Sequence, residues 1–146
     1  MSGGRDWIPT VLRARQAQED LVAQGLAVAR RDAGQAADQH AEQAARVAAM
    51  VLPESQTVPA FHASLAAHNA AAATLAAARN RLLFAESRVA GKVAELTVAA
   101  RSRRMVEKLH ERHQDEQASA ASEVAQRELD EVSISRHGAR LRRASR

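Results

Sequence analysis

The sequence predicts an all-α protein: two long helices folded back as an antiparallel coiled-coil hairpin, the second longer than the first. Three observations predict it. No proline occurs in the 87 residues after Pro59, and the first 78 of these, Ala60 to His137, are mostly good helix formers. The other run of similar character, residues 10–51, is separated from it by a short proline-bearing segment. Along both runs apolar residues recur in steps of four and three, the spacing of a coiled-coil seam.

In chain order, residues 1–9 form a lead-in, 10–51 the first helix, 52–59 the turn, 60–137 the second helix and 138–146 a basic tail, all in one coiled-coil domain. The first helix carries a thin stripe through Val22, Leu26, Ala29, Ala33, Ala37, Ala44, Val47 and Val51, whose small side chains let two backbones approach closely. The turn holds Pro53 and Pro59, which interrupt helix on either side of a short link. In the second helix the four-three alternation passes through residues 61, 65, 68, 72, 75, 79, 82, 86, 89, 93, 96 and 100, most of them apolar. An unbroken helix from 60 to 137 would span roughly 115 Å, too long to hide in a compact core. The unequal lengths leave about the last 35 residues of the second helix beyond the start of the first. A helix end with no partner in its own chain implies a partner outside it.

Composition limits the interior. Alanine supplies 35 of the hydrophobic residues, and Trp7, Phe61 and Phe84 are the only aromatic rings. A large packed pocket is hard to build from these, and so is an aromatic platform for bases. Cysteine is absent, which excludes disulfides and thiolate metal sites and fits a reducing cytoplasm. No stretch reaches the roughly 20 apolar residues needed to span a bilayer, and the first residues carry no apolar run of signal-peptide length. The expected location is cytoplasmic.

The net charge of +4 comes almost wholly from 19 arginines, against two lysines, Lys92 and Lys108. Residues 30–131 mix both signs along helical faces, whereas Arg136, Arg140, Arg142, Arg143 and Arg146 form an acid-free tail. Beyond Arg101 apolar residues become sparse, so this part of the helix has little to bury. Gly25, Gly34 and Gly91 interrupt helical sequence, each costing roughly 1 kcal/mol relative to alanine.

Chemical motifs are few. His110-Glu111-Arg112-His113 places its histidines three apart, whereas the zinc-protease helix needs them four apart to face one metal. Glu107 and His110 match the Glu-x-x-His element of diiron bundles, but such sites draw on four helices. His40 and His68 fall where a seam would half bury them. Neither a catalytic residue nor a metal or cofactor site is expected, and no small-molecule substrate.

An ordered set of short patterns remains. Pro9-Thr10-Val11-Leu12-Arg13-Ala14-Arg15 is followed by Glu19 and by Leu26-Ala27-Val28-Ala29. Far downstream come Arg103-Arg104-Met105-Val106-Glu107-Lys108-Leu109-His110-Glu111-Arg112, then Gln126-Arg127-Glu128-Leu129-Asp130-Glu131-Val132, then Ser135-Arg136. Together these resemble the FliJ family of flagellar export proteins. The resemblance implies a non-enzymatic stalk of the flagellar type III export apparatus, inserting into the hexameric export ATPase and contacting the membrane export gate. It also implies an escort role toward export chaperones and a cytoplasmic location at the inner face of the cell membrane.

The ATPase contact is expected where the first helix begins and the second overhangs, at Leu12, Arg13, Arg15, Arg103, Arg104, Lys108, Leu109, Arg112, Leu129 and Arg136. The gate contact is expected nearer the turn. An injectisome stalk or a general coiled-coil scaffold has the same shape, and the resemblance alone separates them from the flagellar reading. A basic helical nucleic-acid binder fits the pI near 10.8, but residues 101–131 are roughly charge-balanced and no reader motif is present.

Overall fold

The computed structural model describes residues 7–51, 54 and 57–144, with side chains described through residue 137. It consists of two helices, α1 (Ile8–Ala48) and α2 (Val58–Ala144). Half of the expected turn, residues 52, 53, 55 and 56, lies outside the described residues, as do residues 1–6 of the lead-in.

The helix ends follow from backbone hydrogen bonding. At the start of α1 the Val11 N–H donates to the Trp7 carbonyl at 3.0 Å, and at the start of α2 the Phe61 N–H donates to the Thr57 carbonyl at 2.9 Å. Pro9 and Pro59 each occupy the first turn of a helix, where a missing N–H removes no intrahelical bond. The last turn of α1 tightens: Met50 N–H donates to the Val47 carbonyl, three residues back, at 3.1 Å. Helix α2 continues to Ala144, through the segment expected as a separate tail. Arginine and alanine are strong helix formers, and cations near a helix C-terminus complement its dipole.

The described residues group into two compact units, one of residues 14–102 and the other of residues 7–13 with 103–144. The first is an antiparallel hairpin. Asp32 pairs with Arg88 at 3.4 Å, and Gly25 lies against the Lys92 stem, so advancing along one helix means retreating along the other. Toward the turn, Met50 and Val51 line a groove with Ser64, Ala67 and His68.

The seam of this hairpin is built largely from alanine. Its buried residues are Leu26 and Ala29 on α1 and Ala78, Ala85 and Ala99 on α2. On α2 the buried and half-buried positions of this unit are 64, 68, 71, 75, 78, 82, 85, 89, 92, 96, 99, 100 and 102, and in them layers of Leu75, Leu82, Val89 and Leu96 alternate with Ala71, Ala78, Ala85, Lys92 and Ala99. This corrects half of the expected seam. Positions 68, 75, 82, 89, 96 and 100 are in place, but 65, 72, 79, 86 and 93 are exposed, and the true layers there lie one residue earlier. The large side chains of Leu65 and Val93 stay outside, 39% and 42% exposed, while alanines take the interior and allow the backbones to close. Phe61 is also exposed. On α1 the stripe holds at 22, 26, 29, 33 and 47, with Ala44 half-buried, but Ala37 is exposed and the neighbouring Ala36 takes its place. Val51 is exposed beyond the helix end. His40 and His68 are half-buried on the seam, and His68 Nδ1 is buried without a hydrogen-bond partner.

Candidate partner-binding site

The second unit holds most of the expected contact residues. Its anchor is Ile8, 2% exposed, with Pro9, Val11 and Leu12 half-buried beside it. On α2 the half-buried positions 103, 106, 110 and 113 continue the four-three spacing, which puts Arg103, Val106, His110 and His113 on one face. Two histidines make a costly part of that face: the Nδ1 atoms of His110 and His113 are buried and unpartnered. Their Nε2 atoms lie 3.0 Å from the amide nitrogens of Gln114 and Gln117, one turn on. A buried ring nitrogen without a partner costs on the order of 1–3 kcal/mol, so this face is held less firmly than an apolar one.

After His113 the cover ends. Every described side chain from 114 to 137 is exposed, including Val124, Leu129, Val132 and Ile134 at 52%, 63%, 48% and 73%. The overhang expected over about 35 residues is therefore shorter, because positions 103, 106, 107, 110 and 113 are half-buried and only the described side chains from 114 to 137 have no burial of their own. Two of its side-chain contacts are local: Arg127 approaches Glu123 at 3.6 Å, and Gln126 donates to Asp130 at 3.4 Å. Such exposed pairs contribute a few tenths of a kcal/mol.

The expected contact residues divide by environment. Leu12 is half-buried, and Arg103 is only 24% exposed at its side chain, with its guanidinium 2.8 Å from Glu107. These two serve the fold first. Arg13, Arg104, Lys108, Leu109, Arg112, Leu129 and Arg136 are exposed in the same unit. Arg104, Lys108 and Arg112, four apart, form one basic row on the solvent side of α2, with Met105 and Leu109 beside it. Arg15 falls in the other unit, where it donates to Gln18 at 3.1 Å and lines an open groove of about 500 Å³ with Val22, Val98 and Ser102.

Glu128, Glu131, Val132 and Ser135, which belong to the family-like pattern but not to the expected contact set, line a shallow groove along one side of α2 with Arg136. A signal was present. Residues 114–135 contain six acids against one arginine, but averaging over 101–131 blends this block with the basic row before it.

Among the described residues, no group of three or more histidine or acidic side chains could hold a metal ion, and no helix is long and apolar enough to cross a membrane. No curated protein and no solved structure matches the chain. The family model described as flagellar FliJ protein matches residues 8–142, which takes in both helices and the exposed stretch. The chain thus belongs to the flagellar FliJ protein family, whose members are components of the flagellar protein export apparatus.

Proposed function

We propose that this protein is a non-enzymatic stalk of the export apparatus. It enters the ring of the hexameric export ATPase with the exposed part of α2, contacts the membrane export gate with the region nearer the turn, and escorts export chaperones. It then works in the cytoplasm, held at the inner face of the cell membrane through the apparatus. The observation that carries this reading is the exposure of every described side chain between 114 and 137. A helix that buries nothing in its own fold gains little stability from packing and is suited to reversible contact with a ring of other chains. The contact residues on this reading are Arg13, Arg104, Lys108, Leu109, Arg112, Leu129 and Arg136, with Leu12 and Arg103 supporting them from the same unit and Arg15 a further contact in the other.

Sedimentation of the protein with its cognate export ATPase tests the proposal. A chain ending at His113, checked for helicity by circular dichroism, is expected to bind at least about tenfold more weakly, roughly 1.4 kcal/mol. Binding equal to that of the full chain would refute the assignment.

A further inference from the structure

One side of the hairpin carries large apolar side chains that its own two helices leave uncovered. The pair of Asp32 with Arg88 lies on this side, and so does the open groove of about 500 Å³ that Glu95 and Val98 line. On α2 the residues Ala77, Phe84, Gly91 and Val98 follow one another at one-heptad spacing and share a face, with Arg81, Arg88 and Glu95 along its edge. All four are exposed, Phe84 to 68% and Val98 to 63%. The hairpin itself gives no reason for the glycine among them: a Cβ at Gly91 meets nothing within 4 Å, its φ is not positive, and glycine weakens a helix.

We infer that this face pairs two copies of the chain, antiparallel, about a two-fold axis near Ser87 and Arg88. Set against its own reverse, the face matches in size. Phe84 of one copy falls opposite Gly91 of the other, and Val98 opposite Ala77, so each large side chain meets a small one and the two-fold repeats every contact. It matches in charge as well. Arg81 falls opposite Glu95, beside the groove, and Arg81 has no ion pair among the described residues. Only Arg88 approaches its own equivalent, and Asp32 of the same chain, 3.4 Å away, offsets that charge. A parallel pairing loses all of this, because it stacks Phe84 on Phe84 and sets Arg81 against Arg81 and Glu95 against Glu95. An unrelated partner requires no such agreement between the face and its reverse, and a second copy requires it at every level. These residues lie apart from the exposed stretch 114–137, so the pairing goes beyond the stalk reading and does not rest on it.

Sedimentation equilibrium on the full chain tests the pairing. The mass is expected to rise from the 15.7 kDa of one chain towards twice that between about 1 μM and about 1 mM. Phe84→Asp is expected to hold it at one chain throughout. Arg81→Glu and Glu95→Arg, each alone, set like charges opposite one another at both ends of the pairing and are expected to weaken it at least about tenfold, roughly 1.4 kcal/mol. An equimolar mixture of these two variants regains opposite charges at both ends and is expected to pair about as well as the parent chain. All three positions are exposed, so the variants keep the fold. A mass that stays at one chain across the range overturns the inference. So does a doubling that Phe84→Asp leaves in place, or a mixture that pairs no better than its components, since the copies then meet elsewhere or in another register. No export component enters the experiment, so failure here leaves the ATPase reading standing, and loss of ATPase binding leaves this one standing.

Discussion

Replacing Ala78 by leucine tests the alanine seam through the sign of its effect. Leucine adds three carbons. Were there room, their burial at about 0.8 kcal/mol each would stabilise the hairpin by about 2.4 kcal/mol. Ala78 is only 3% exposed, between half-buried layers of Leu75 and Leu82, with Ala85 in the next alanine layer at 8%. The added carbons therefore have to push the helices apart or leave their rotamers, and overpacking of this kind typically costs about 1–3 kcal/mol. The expected outcome is net destabilisation of that size, seen as a lower urea midpoint by circular dichroism at 222 nm with unchanged mass in sedimentation. Ala72→Leu is the control, because Ala72 is exposed and its change is expected to stay within about 0.5 kcal/mol. A midpoint raised by Ala78→Leu would show that the seam has space to fill. An effect of Ala72→Leu as large as that of Ala78→Leu would place the seam on the other set of positions.

Gly34→Ala and Gly91→Ala should each stabilise by roughly 1 kcal/mol, since a Cβ at either position meets nothing within 4 Å and no described glycine has a positive φ; a lower melting temperature in either variant would contradict this. Ile8→Ala removes the most buried large side chain, and hydrogen exchange should quicken in residues 8–13 and 103–113, by up to the 2–5 kcal/mol typical of such truncations, while residues 26–33 keep their protection. Arg88→Ala breaks the pair with Asp32, whose side chains are 49% and 45% exposed, so the urea midpoint should move by less than about 1 kcal/mol equivalent.

Much of the architecture was legible because it rests on local rules. The absence of proline after Pro59 and the scarcity of helix breakers demand a long second helix whatever surrounds it. The family pattern was legible at the two ends, in Leu12 to Arg15, Arg103 to Arg112 and Gln126 to Val132, and the matched span of 8–142 includes all three. The candidate site was less legible. Arginines stand out in a sequence, yet Arg103 is folded onto Glu107, while Glu128 and Glu131 look like ordinary solvated charges until they are seen to line a groove with Val132 and Arg136.

By itself, then, the sequence determined two helices, their order and unequal length, most of the α1 stripe and one half of the α2 seam, since all of these follow from spacing and propensity along a single chain. Only tertiary structure decided the other half. Stepping four then three, or three then four, from Leu75 and Leu82 gives seams that differ by one residue, and an alanine-rich helix offers an apolar candidate at either choice. The partner helix settles it, because alanine layers at 71, 78, 85 and 99 let the backbones close, whereas layers holding Arg79 and Glu86 would bury charge. The end of cover at His113 has the same origin: it depends on where Ile8 comes to rest against α2, which no periodicity within α2 contains.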